Sequence, residues 1–280
     1  MLLSLKTFNF EVPTVNADGR LKATQTHQAH FFVDNLDHQE HLEMVAIAPG
    51  PFKREATQGE VYSKTVAYSQ QRVSVQPFFM SKYPITQGQW AAVSRLPRVN
   101  RDLEFAPSHF SGVNHPVESV SWLDAVEFCD RLSHHTGRRY QLPSEAQWEY
   151  ACRAGTQTPF HTGETITSEL ANYVGAYTYR AETKGLYRRT TVPVGSFSPN
   201  AFGLYDMHGN VWEWCADHWQ DGSQSSVDGD RPWMSTNSSQ MRAIRGGSWL
   251  DHPTNLRSAS RSGYREALFN RIIGFRVSCV

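Results

Sequence analysis

The chain lacks paired cysteines, an excess of either charge and any long apolar run. Its four cysteines, Cys129, Cys152, Cys215 and Cys279, are widely spaced with no Cys-x-x-Cys pair. No disulfide framework is expected, and all four read as small buried apolar residues in a reducing compartment. Lys plus Arg and Asp plus Glu both number 27, so no charge footprint points to nucleic acid or an anionic membrane. The opening MLLSLKTFNFEV carries Lys6 and alternates rather than forming the apolar core of a signal segment. No later stretch reaches the roughly 18 apolar residues of a membrane span. A cytoplasmic protein with no nucleic-acid or membrane partner is the expectation. Internal repeats and low-complexity linkers are also missing, and 280 residues suffice for a full core. We therefore expect one domain over 1–280, with 1–42 an extension that contains a strand.

What is present divides at Gly155. Before it, residues 5–12, 41–48 and 72–80 read as strands, as does HFFVDNL at 30–36. Three helix starts carry capping signals. They are Thr86 to Gln89, Ser121 ahead of WLDAVEFCDRLSHH, and Ser144 to Gln147; Pro97, Gly137 and Gly155 lie just beyond the expected ends. After Gly155, about 90 residues hold Gly, Asn, Ser and Pro with aromatic clusters and no helical period. Irregular chain of that length is uncommon unless function or a cross-link holds it. A bound metal is the expected brace.

Within NAFGLYDMHGNVWEWCADHW, the acids Asp206 and Glu213 can converge while the backbone carbonyls of Gly209 and Val211 fill the gaps between them. Calcium favours such mixed oxygen shells; two acids at this spacing also occur simply as solvated side chains. His27, His30, His38 and His41 form two HxxH spacings around a strand, better read as polar residues flanking it than as a zinc site.

The last 36 residues alternate a rigid frame with irregular filling. The frame is RGGSW from Arg245, then RSA, Arg261 and IGFRV. Its glycines allow backbone geometries closed to other residues, Trp249 and Phe275 offer anchors, and its arginines suit carboxylates or carbonyls. The filling comprises Leu250, Asp251, His252, Thr254, Asn255, Ser260, Ser262, Gly263, Tyr264, Leu268, Asn270 and Ile272, with Phe269 among its aromatics. It follows neither a period of two nor one of 3.6, so it reads as displayed surface rather than packed element.

HPVESVSWLDAVEFC, YQLPSEAQWEYACRAG, GLYDMHGNVWEW and RGGSW…GFRV together resemble the formylglycine-generating, sulfatase-modifying-factor family, from about Glu43 to Val280. The resemblance implies an α+β variant of the C-type lectin fold, with short antiparallel strands, few helices and much ordered loop. It also implies a structural calcium at Asp206, Gly209, Val211 and Glu213. A second family calcium site would begin at Asn172 and Tyr173, but KGLYRRTT lacks its later acid. The oxidase branch places two copper-binding cysteines soon after RGGSW, and here that stretch has none. Serine and threonine cannot replace a soft thiolate ligand, so copper is not expected. The sulfoxide-synthase branch takes its iron ligands from an additional helical domain, for which the 42 residues before the matched region are too few, so iron is not expected either.

The C-terminus is most similar to the variable proteins of diversity-generating retroelements, which share the RGGSW, RSAxR and IGFRV frame around changeable positions. That resemblance implies a non-catalytic protein whose segment 245–280 binds a protein or other macromolecular ligand. The alternatives are a metal-dependent oxidase with relocated ligands and a scaffold or regulatory subunit without a variable site.

Overall fold

Strand β1 (Lys6–Val15) turns into β2 (Leu21–Asn35), and Asn16 shapes the turn by accepting the Asp18 and Arg20 backbone N–H groups on its Oδ1 at 3.1 and 3.0 Å. The computed structural model describes residues 4–54, 71–219, 229–235 and 240–280. β2 pairs next with β3 (His41–Ile47), and β3 with β6 (Phe78–Ser81), each antiparallel. β12 (Ser278–Cys279) and β7 (Tyr140–Gln141) complete a six-stranded sheet of order β1-β2-β3-β6-β12-β7. The strands of the 1–42 extension thus share a sheet with residues from the far end of the chain. The single strand expected over 72–80 is two. β5 (Gln71–Val75) pairs with β4 (Gly50–Arg54), and the chain breaks at Gln76–Pro77 before β6, because proline has no N–H for the ladder.

All three capping boxes form. Thr86 starts α1 (Gln87–Ser94), Ser121 starts α2 (Trp122–Thr136) and Ser144 starts α3 (Glu145–Arg153). Gly137 closes α2 in the left-handed region, at φ 70°. Among the described residues no α-helix follows Arg153, and no helix is long and apolar enough to cross a membrane.

A second sheet, β10-β9-β8-β11, contains β8 (Trp212–His218), β9 (Met241–Arg245), β10 (Arg261–Arg265) and β11 (Ile273–Gly274). Alternation along its strands feeds two cores. Trp212 and Trp214 of β8 and Ile244 of β9 join Phe128, Leu132 and Trp90 from α2 and α1. Cys215 and Ala243 join Trp148 and Ala151 of α3 and the β5–β6 side chains. All four cysteines are buried and free, as expected.

The irregular half is pinned by buried side chains that serve its backbone. Asn210 donates to the Val192 carbonyl at 3.1 Å and accepts from the Val192 N–H at 3.0 Å. Asn200 bridges the Ala151 carbonyl and the Phe202 and Leu204 N–H groups. Glu182 accepts from the backbone N–H groups of Tyr179 and Arg180 and from the Thr165 hydroxyl. These residues satisfy backbone groups that no ladder serves.

Candidate binding surface

The frame of the last 36 residues is bolted to α3. Fully buried Arg245 donates to Glu149 at 2.6 Å and to the Ser258 and Ser260 carbonyls at 2.9 and 2.5 Å. Arg261 grips both oxygens of Glu145, one turn earlier on the same helix. Burial opposes ionisation of Glu149, but the guanidiniums of Arg245, Arg153 and Arg54 outweigh it and hold the carboxyl below its usual range. Gly246 and Gly247, at φ 97° and 74°, carry the chain past Trp148 and Leu256 respectively, and a side chain at Gly274 would strike the Val117 carbonyl. Trp249 and Phe275 are buried, as anchors should be.

Two tryptophans hold the intervening stretches edge to edge. The Trp212 backbone N–H donates to the Ile272 carbonyl at 2.8 Å while its indole donates to Asp251 Oδ2, also at 2.8 Å. The Trp249 indole reaches the Arg271 carbonyl at 3.3 Å. The stretch 250–256 ends in a 3₁₀ turn (Pro253–Leu256). It also meets a loop the sequence reading did not include: the Val174 N–H donates to the Asp251 carbonyl, and Tyr177 packs on His252 with ring centroids 4.9 Å apart.

The expected displayed positions do not behave alike. Leu250, Thr254, Asn255 and Leu268 are exposed, as is Phe269. His252 and Ser262 are half-buried. Ser260 is corrected outright, because it is buried and its carbonyl caps Arg245. Asp251 belongs to the frame: its carboxylate accepts from Trp212, Ser248 and Asn255. Gly263 lies against the Trp219 ring, where a Cβ would collide. Tyr264 packs toward Trp214 at 6.0 Å and Ile272 packs against the same core. Asn270 caps the Ile272 N–H and accepts the Ser119 N–H on its carbonyl. A polar side chain can be displayed or can serve buried backbone groups, and only the fold tells which.

At the expected metal position, Asp206 Oδ2 accepts the Gly195 N–H at 2.7 Å, while Oδ1 is buried with no donor among the described residues. Burial pushes this carboxyl up to about 6. An unmet acceptor of this kind fits a cation. Glu213 does not offer the same: its two oxygens accept from Arg276 at 2.7 and 2.8 Å, and Oε2 also accepts the Trp148 indole at 2.6 Å. Its charge is already balanced, and the Gly209 carbonyl accepts the Val211 N–H. The set fits a cation at Asp206 and does not fit a shell that relies on the charge of Glu213.

A second buried polar group lies between α3 and this region. His208 Nδ1 donates to the Leu256 carbonyl at 2.6 Å and its Nε2 accepts the His161 N–H at 3.1 Å. The His161 ring stacks on His208 at 4.8 Å, and among the described residues neither of its nitrogens has a hydrogen-bond partner. Burial drives His208 down to about 4 and His161 well below the ordinary imidazole value. Cys152 lies over the His208 ring at 3.9 Å, and burial pushes its thiol up to about 12. These groups are neutral and structural rather than nucleophilic.

The sulfatase-modifying factor enzyme 1-like domain matches residues 32–279. Formylglycine-generating enzyme of Mus musculus is 35% identical over 170 residues, covering 58% of this chain and 44% of that enzyme. The chain spans about two-fifths of the length of several of the curated relatives it matches, this enzyme among them. The structure of PvdO from Pseudomonas aeruginosa superposes with a TM-score of 0.75 at 31% identity, covering 88% of this chain and 97% of that one. Treponema denticola variable protein 1 shares the fold, with a TM-score of 0.70 at 24% identity over 89% of this chain and 98% of its own. The fold is the α+β, C-type lectin-like variant implied by the sequence motifs, and the chain belongs to the sulfatase-modifying factor enzyme 1-like domain family.

Proposed function

We propose that this chain is a non-catalytic ligand-binding protein whose C-terminal segment is the variable face of a diversity-generating retroelement product. One observation carries this reading: Leu250, Thr254, Asn255 and Leu268 are exposed on a segment whose frame arginines are buried in ion pairs and carbonyl contacts. Changes at such positions leave the frame's bonds untouched. The stretch 250–270 carries no cysteine to hold copper; Cys129, Cys152, Cys215 and Cys279 are buried and free, and Cys152, which lies 3.6 Å from Ser258, keeps a thiol that burial pushes up to about 12. A calcium at Asp206 is part of the proposal as a structural brace, with the Gly209 and Val211 carbonyls proposed as its further ligands and Glu213 reserved for Arg276.

The deciding experiment is sequencing of the flanking DNA. A reverse transcriptase gene beside a near-copy of the terminal coding region supports the reading, and its absence from an intact locus refutes it.

A further inference from the structure

The last 36 residues hold Arg245, Arg257, Arg261, Arg265, Arg271 and Arg276 against only Asp251 and Glu266, inside a chain with no net charge. Both acids are spent. Asp251 serves Trp212, Ser248 and Asn255, and Glu266 pairs with Arg242 at 2.8 Å. Arg245, Arg261 and Arg276 are consumed by Glu149, Glu145 and Glu213, and Arg257 is buried with its Nε on the Thr254 carbonyl. Arg265 and Arg271 remain exposed. The local excess of positive charge is therefore at the surface.

Arg271 belongs to a stack of four side chains. Its guanidinium lies 5.5 Å from the centre of the Trp249 ring, Tyr187 stacks on Trp249 at 6.5 Å with planes 15° apart, and the Arg189 guanidinium lies 5.3 Å from the Tyr187 ring. Arg189 and Arg271, the two ends, are exposed, and among the described residues no carboxylate pairs with either. Arg189 also holds a left-handed backbone at φ 61°, a conformation that persists only where surrounding structure enforces it. Ring faces attract guanidiniums without neutralising them. Leu250, which follows Trp249 in the chain, is exposed, and exposed Tyr177 packs on His252.

We infer that Arg189 and Arg271, fixed at the two ends of one aromatic stack, form a basic docking face for an acidic segment of a protein ligand. The inference rests on the function proposed above for the position of the ligand and adds its chemistry. Arginine and aromatic side chains with an apolar neighbour are the composition of protein-binding hot spots. Two exposed guanidiniums at aromatic rings are few for a nucleic-acid backbone, which is gripped by many phosphate contacts.

The test uses the purified full chain and three probes: poly-L-glutamate, a single-stranded oligonucleotide of equal charge, and a peptide alternating glutamate with phenylalanine. Poly-L-glutamate should bind with an affinity that falls as salt rises, and an Arg189→Gln/Arg271→Gln double variant should lose about tenfold or more with its melting temperature unchanged. Arg95→Gln, at an exposed position elsewhere, should change nothing. Binding by the double variant equal to the parent's, salt-independent binding by the parent, or preference for the oligonucleotide would each overturn the inference. Replacing Leu250, Thr254, Asn255 and Leu268 with alanine separates the two claims. That variant should weaken binding of the mixed peptide and spare poly-L-glutamate; no change with either probe removes the displayed-surface reading while leaving the arginine face standing.

Discussion

Arg276 takes both carboxylate oxygens of Glu213 in a fully buried pair, at 2.7 and 2.8 Å. Removing one partner of a buried pair strands the other's charge. Glu213→Gln should therefore destabilise the protein by about 3–5 kcal/mol, equally with calcium and with chelator. Asp206→Asn should instead abolish any calcium-dependent rise in melting temperature. If calcium stabilises Asp206→Asn as much as the parent, the cation does not sit at Asp206.

Frame and filling should separate in thermal melts. Trp249→Ala removes a buried indole packed against Phe110 and should cost about 3–5 kcal/mol. Leu250→Ser and Leu268→Ser, at exposed positions, should each stay within about 0.5 kcal/mol. Gly263→Ala and Asp251→Ala should fall with the frame, because Trp219 and Trp212 occupy those sites. Equal losses across both groups would make the whole segment core.

His161 gives a prediction with a pH sign. Its folded pKa lies well below its unfolded value near 6.5, so the unfolded chain takes up the proton first, and stability is lost as pH falls below about 6.5. His161→Phe removes this loss together with two buried nitrogens that have no partner among the described residues. The variant should be more stable than the parent at pH 7.5 by about 1–3 kcal/mol, with the gain widening toward pH 5. Urea titrations at the two pH values measure it, and a constant or shrinking gain would contradict it.

No oxidation of a cysteine-containing sulfatase peptide is expected in the presence of copper and oxygen, since no thiolate is available between 250 and 270. Formation of the aldehyde, read by mass spectrometry, would reverse the non-catalytic assignment.

The three helices were legible because their signals are local: Thr86, Ser121 and Ser144 each meet a partner three residues on. The first half of β2 was not. Residues 21–26 are exposed on both faces of the hairpin, so no apolar alternation marks them, and pairing with β1 alone makes them a strand. The frame arginines could be assigned to carboxylates or carbonyls from sequence, but Glu149 lies 96 residues from Arg245, and nothing local names it. For the same reason nothing local in KGLYRRTT, far upstream, ties Tyr187 and Arg189 to Trp249. Asp251 and Ser260 were misplaced because buried polar residues resemble displayed ones until their distant partners are known.

Arg245 and Arg261 both end on α3, at Glu149 and Glu145, which are four residues apart. The chain between the two arginines is therefore a closed ring whose ends are fixed independently of the residues inside it. The entropy lost in closing such a ring depends mainly on its length, and weakly even on that. Exchanging residue types at its exposed positions therefore leaves the closure term almost constant, whatever letters are installed. Mutational load at the rim is thermally silent, and a population of sequences that differ there should melt together.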